Sequence, residues 1–253
     1  MDLDQDKSVS KTQQKRILKK ERIAEKYKER KLEKKKFNKS SNQEIFFPCG
    51  IRQERNAMIR SDFESKCERG PLVIIDCEWN ASMTSEKELI SLTQQIMYSY
   101  ACNKAGLNPV RLWIVGASDA QKKLLHQLPG SQSWYMAVTS SNLDQLSLDP
   151  CSIYLTADSN NILDISDTSQ SSAFIIGGIV DRNRHKNATL HKAESLGLAT
   201  AQFPIGQYLP LKSSKVLTVN HVVQILVEVL GHHDWERAFH SVIPIRKREL
   251  DNP

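Results

Sequence analysis

Several common signatures are missing from this chain of 253 residues. Its five cysteines, at positions 49, 67, 77, 102 and 151, are odd in number, and none belongs to a Cys-x-x-Cys pair. That argues against a disulfide framework or zinc ribbon and favours a reducing compartment, with Cys77 and Cys151 expected to be buried. No apolar run is long enough to cross a bilayer, and residues 1–40 are too polar for a secretory leader. No lipidation signal or internal repeat appears. No Gly-x-Gly-x-x-Gly follows a strand, which weakens a nicotinamide dehydrogenase reading; the first strand leads instead into "DCEWNAS". There is no His-x-His, His-x₃-His or cysteine cluster, so no structural or catalytic metal is expected.

What is present is charge, unevenly placed. Residues 7–39 hold 15 Lys or Arg against 4 Glu, while the whole chain carries only +6. The basic character therefore belongs to an arm. A polyanion is its natural partner, and nucleic acid is the usual one. Residues 1–42 read as this arm, rich in helix formers and thin in apolar residues, so a helix formed against RNA is expected. A solvated tail or a nuclear-targeting patch fits the same composition.

Beyond a linker at 43–70 with some helix, strands and helices alternate. "PLVIID" (71–76), "VRLWIV" (110–115), "SIYLTADS" (152–159, running into a polar turn), "AFIIGG" (173–178) and a short run near 198–203 read as strands. Helices are predicted after Ser85, whose partner Glu88 completes a capping box, and over 118–128, 184–196, 219–231 and 234–244. Gly231 is the expected stop of the fourth helix. The pattern is an α/β fold, a mostly parallel sheet flanked by helices. In such sheets ligands lie beyond the carboxyl ends of the strands.

The strand ends supply candidate site residues. Gly177 and Gly178 permit a close backbone approach, and equally a plain tight turn. Asp181 could take a proton from a substrate nitrogen, or pair with Arg182 or Arg184, or cap the next helix. Asn183, Arg184 and Lys186, with Arg182, could meet substrate phosphates or form a solvated helix start. Asp76 and Asp158 close two strands. Asn220 could cap the helix it begins, and His221 follows it.

In order along the chain, "VIIDCEW" (73–79), "YLTADS" (154–159), "IIGGIVDRNRHK" (175–186), "AQFPIGQYL" (201–209), "KVLTVNHVVQILVEVL" (215–230), "DWERAF" (234–239) and "IPIRK" (243–247) resemble the Trm10 family of tRNA methyltransferases, which act on the purine at position 9. The resemblance is strongest to the nuclear and cytosolic guanine-9 branch; the longer N-terminal domain of the mitochondrial branch has no counterpart here. It implies a SPOUT methyltransferase domain over 71–250, with a C-terminal trefoil knot between about 152 and 230. It also implies S-adenosyl-L-methionine as cofactor and tRNA as partner. A monomer without an obligate protein partner is implied, in nucleus and cytoplasm and not in a membrane. Cofactor contacts would fall to Leu155, Thr156, Asp158, Gly177, Gly178, Gly206, Leu217, Val219 and Asn220. Substrate contacts would fall to Asp76, Arg182, Asn183, Arg184 and Lys186. Asp181 would be the general base that frees guanine N1 for direct in-line methyl transfer. An adenine-9 or dual enzyme on the same scaffold, and a basic RNA-binding protein without catalysis, remain alternatives.

Overall fold

A computed structural model describes residue 25 and residues 49–79, 84–164, 166, 173–180, 184–211 and 216–248, with backbone alone for 49–52. The basic arm apart from residue 25, and residues 181–183 of the candidate loop, lie outside the described residues. The chain divides into two compact units, Met1–Asn56 and Ala57–Pro253, and the sheet belongs to the second.

Six strands build that sheet: β1 (Leu72–Asp76), β2 (Arg111–Val115), β3 (Ala137–Val138), β4 (Ile153–Leu155), β5 (Ala173–Gly177) and β6 (Ala199–Ala201), in the order β3-β2-β1-β5-β4-β6. Every pairing is parallel. Helices α1 (Cys49–Arg69), α2 (Glu86–Ala105), α3 (Asp119–His126), α4 (Ala188–Ser195), α5 (Ile205–Tyr208), α6 (Val219–His232) and α7 (Trp235–Val242) accompany it. The central strands read as continuous apolar runs because helices cover both faces. Val73, Ile75, Phe174 and Ile176 face a core that includes α2, α6 and α7, while Ile74, Tyr154 and Ile175 face a smaller one with Ala193 of α4.

Local chemistry sets the element ends. Ser85 caps α2 with the predicted box: the Glu88 carboxylate accepts from the Ser85 N–H at 2.8 Å and hydroxyl at 2.9 Å. Those bonds, with Arg184 adding to them, hold the Glu88 carboxyl below its usual value. At its other end α2 is locked by a buried amide. Asn103 Oδ1 accepts from the Val110 N–H at 2.8 Å, and its Nδ2 donates to the Val110 carbonyl at 2.9 Å. Phe203, Trp235 and Phe239 form an aromatic cluster under α7, with Trp235 and Phe239 stacked at 5.4 Å.

The strand at 152–159 ends at Leu155 and runs into its expected polar turn at Thr156. Three expectations need correction. The helix expected from 184 starts at Ala188, because Asn187 is left-handed at φ 57°. Gly231 does not stop α6; His233 does, at φ 53°, with its N–H on the Val229 carbonyl. Cys151 is exposed and not buried, while Cys77 is half-buried with its thiol pushed up by burial. Strand β3 and helix α5 had no usable signal, being two and four residues long. The threading expected between 152 and 230 runs through residues 165, 167–172, 181–183 and 212–215, outside the described residues.

Replacing Asn103 by Ala strips two buried backbone groups of their partners. It is expected to cost about 2–4 kcal/mol, read as a drop in urea-unfolding stability with unchanged m. A loss below about 0.5 kcal/mol would mean that water or a neighbour replaces the amide.

Candidate active site

The carboxyl ends of β4, β5 and β6 open into a cleft of about 910 Å³ including its mouth. Leu155, Ile176, Phe203, Ile205, Leu217 and Val219 give it apolar walls, while Thr156, Asp158, Gln202 and Thr189 bring polar groups. Its mixed lining suits a small organic ligand with a flat apolar part and a few polar edges. The Thr156 and Thr189 hydroxyls lie 2.7 Å apart across the floor. Asp158 Oδ2 accepts from the Asn187 N–H at 3.2 Å, so this carboxylate braces the left-handed turn before α4 and keeps only part of its capacity for a ligand. On the far wall the α6 N-terminus is tied down by Gln95 of α2, whose Oε1 accepts from the Val219 N–H at 2.9 Å.

Six of the nine expected cofactor residues line this cleft: Leu155, Thr156, Asp158, Gly177, Leu217 and Val219. Three do not. Gly206 is exposed on α5, and Asn220 is half-exposed in the first turn of α6. Asn220 does not cap that helix either; Thr218 holds the N-cap position. Gly178 turns the other way. A Cβ there would stand 2.8 Å from the Asp76 carbonyl oxygen and 3.0 Å from Cys77 Sγ. Its hydrogen is required by the β1 backbone, not by a ligand. Gly177 is the glycine at the cleft, where a Cβ would press on Thr189 Cγ2 at 2.5 Å. Gly178 instead borders a second opening, lined also by Glu78, Trp79, Ser85, Leu89 and Lys192. The two glycines thus separate two openings.

Beneath them lies a cluster of which the sequence singled out only Asp76. Asp76 is 0% exposed. Lys192 of α4 reaches its two carboxylate oxygens at 2.8 and 2.9 Å, and also the Glu78 carbonyl at 2.9 Å and Glu78 Oε2 at 3.1 Å. The Tyr154 hydroxyl donates to Asp76 Oδ2 at 2.8 Å, and the Glu78 N–H donates to Oδ1 at 3.1 Å. The Lys192 ammonium also stands 5.0 Å from the Trp79 ring centre. Burial pushes the Asp76 carboxyl up from its ordinary value, opposed by Lys192, Tyr154 and the Glu78 N–H. The Tyr154 phenol is held well above its ordinary value, by burial first and then by the Asp76 charge. Asp76 was expected to touch substrate. Its oxygens are committed to protein donors, so it braces the site from below. Nothing in the sequence marked Lys192 or Tyr154; their partner lies 116 and 78 residues away.

Arg184 is likewise engaged. Its Nη2 meets Glu88 Oε1 at 2.6 Å, tying the outgoing arm of the 181–183 segment to the first turn of α2. Lys186 is exposed. Asp181, Arg182 and Asn183 lie outside the described residues. Among the described residues no three metal-capable side chains converge, and no helix is long and apolar enough to cross a membrane.

Comparison with known proteins fixes the lineage. The family model for tRNA (guanine(9)-N(1))-methyltransferase TRM10/TRM10A matches residues 7–248. The chain belongs to the Trm10 family. It is 35% identical over 179 residues to the rat tRNA methyltransferase 10 homolog A, covering 69% of this chain and 52% of that one. It is 38% identical over 180 residues to the Schizosaccharomyces pombe tRNA (guanine(9)-N1)-methyltransferase, covering 69% and 58%. The chain therefore spans little more than half the length of these Trm10 relatives. The crystal structure of full-length spTrm10 in complex with SAH superposes with a TM-score of 0.60 at 34% identity, covering 69% of this chain and 97% of that one. A dual-specific Trm10 from Thermococcus kodakaraensis, at 17% identity, TM-score 0.53, and coverage of 68% of this chain and 99% of that one, shares the fold. The parallel sheet with flanking helices is thus the SPOUT fold of Trm10 proteins.

Substituting Gly178 by Val should destabilise the fold rather than act on the cleft, since the new atoms meet β1 backbone. A loss of about 1–3 kcal/mol in thermal or urea unfolding is expected. Wild-type stability in this variant would return Gly178 to the ligand side.

Proposed function

We propose that this protein is an S-adenosylmethionine-dependent tRNA (guanine-9-N1)-methyltransferase. The carrying observation is the cleft at the ends of β4–β6, bounded by Gly177 and separated by the glycine pair from a second opening. Family membership supplies the reaction class, and the SAH complex of spTrm10 supports the choice of cofactor. The residues present fit that cofactor. Apolar side chains of Leu155, Ile176, Leu217 and Val219 suit a purine face, and Thr156, Asp158 and Gln202 suit its polar edges. S-adenosylmethionine supplies an activated methyl group.

The chain's own task is to bring the target base to the opening on the Gly178 side, where Trp79 and Lys192 form part of the wall. The base must leave the folded tRNA at some unstacking cost. Guanine N1 carries a hydrogen at neutral pH, so a group must accept that proton. Asp181 is our candidate: it follows Val180, packed against the core, and precedes Arg184, tied to Glu88. Lys192 and Asp76 fix the strand ends on which both openings rest. The basic arm, with 15 Lys or Arg in residues 7–39, steers the polyanion without reading sequence. The protein acts as a monomer, and its C-terminal chain is knotted around the cofactor, as the family resemblance implies.

The test is single-turnover methylation of an unmodified tRNA bearing G9, with the product mapped, for wild type and Asp181→Asn across pH. Wild type should place a methyl on N1 of G9, at a rate that rises with pH as the base titrates. The variant should be slower by up to about 100-fold and lose that inflection. Product at A9 transcripts alone would overturn the guanine assignment. A variant as fast as wild type at every pH would remove Asp181 from the chemistry.

A further inference from the structure

A base drawn out of a folded RNA loses its stacking neighbours, and the site that receives it has to return some of that stacking. The second opening contains one group suited to this. Trp79 is the one aromatic side chain among the described residues that line it. The residue is half-buried. Three contacts fix its indole. Nε1–H donates to the Asp76 carbonyl oxygen at 2.9 Å, and the Lys192 ammonium stands 5.0 Å from the ring centre. The ring edge also comes close to Gly177, where a Cβ would lie 3.4 Å from Trp79 Cζ2.

These contacts place the ring as well as hold it. Gly177 lines the cleft at the ends of β4–β6, while Trp79 lines the opening on the other side of the glycine pair. The indole edge therefore meets the partition between the two. Lys192 is itself held by Asp76 and Glu78, so the cation beside the ring stays in place whether or not a ligand is bound. A ring anchored through its N–H and its edge has little freedom left to lose when a base meets it.

We infer that the Trp79 indole is the platform on which the target purine stacks once it has left the tRNA core. The inference rests on the proposed function for the identity of that base. A purine resting there would lie beside the glycine turn, with the methyl donor on the turn's far side. The indole is a bicyclic plane of purine size, and stacking on it accepts guanine and adenine alike. Choice between them then falls to polar groups around the base and not to Trp79. Stacking acts on the inserted base alone, whereas backbone contacts hold the rest of the tRNA. Loss of the platform should therefore appear in the methylation rate at saturating tRNA more than in tRNA affinity.

The test uses the full chain with Trp79→Phe, which keeps a ring without the N–H, and Trp79→Leu, which keeps apolar bulk without a ring. Single-turnover methylation at saturating tRNA and cofactor should fall roughly 5- to 100-fold in Trp79→Leu and stay within about 3-fold of wild type in Trp79→Phe. SAH affinity by calorimetry should be unchanged in both. Equal losses in the two variants would assign Trp79 to its hydrogen bond with Asp76 and overturn the platform. A second measurement needs neither methyl transfer nor Trp79→Leu. Tryptophan emission is followed as tRNA binds, and the contribution of Trp79 is taken as the difference between wild type and Trp79→Phe. A tRNA with its base at position 9 should quench that contribution, and the same tRNA made abasic at position 9 should not. Methylated G9 with Trp79 emission unmoved by either tRNA would overturn the platform and leave the reaction standing. Base-dependent quenching of Trp79 in a protein that leaves G9 unmethylated would sink the proposed reaction and leave the platform standing.

Discussion

A carboxylate buried at the end of a central strand must be neutralised, and the way this chain neutralises Asp76 organises the surrounding site. The partners come from three separated places: Lys192 from α4, Tyr154 from β4, and the Glu78 N–H from the chain just after β1. Satisfying one buried charge therefore joins β1, β4 and α4 directly below the glycine pair. The geometry leaves room for hydrogen only at both glycines, since Thr189 crowds Gly177 and the β1 backbone crowds Gly178. The turn is consequently thin, with an opening on each side. A transfer between two bound molecules needs that proximity.

Charge elsewhere on the molecule is also shared between tasks. Glu88 serves the α2 capping box and the Arg184 ion pair at once, so a helix start and the arm of the candidate catalytic segment share one carboxylate. Arg248 fastens the C-terminal segment to α7 and Leu211. An exposed ion pair such as Arg184–Glu88 is worth only about 0–1 kcal/mol, so it orients a side chain more than it holds the fold.

Much of the architecture was legible because it is local. Runs such as "LVIID" and "AFIIG" are too apolar for anything but buried strands, Ser85 and Glu88 declare a helix start, and Val219, Val223, Leu226 and Leu230 declare a buried face. Gly177 was readable from its place at a strand end. What stayed hidden depends on distant partners or on backbone detail. Nothing near Asp76 announces a lysine 116 residues away, and so a structural carboxylate looked like a ligand for substrate. Gly177 and Gly178 are equivalent in sequence, yet adjacent strand-end positions point to opposite sides. Asn187 and His233 adopt left-handed conformations that residues other than glycine take infrequently, so helix ends shifted. Arg184 looked free for phosphate until Glu88 was seen beside it.

The central claim is that the Asp76–Lys192 pair holds the site together, and a double-mutant cycle tests it most directly. Asp76→Asn, Lys192→Met and the combined variant are unfolded in urea, and each folded protein is titrated with SAH. Each single change should cost about 3 kcal/mol or more, because it strands a buried charge or its partner's donors. The double variant should cost less than the sum by at least about 1–2 kcal/mol and should recover SAH affinity that the singles lose. Additive costs, or SAH binding at wild-type strength in both single variants, would contradict the account.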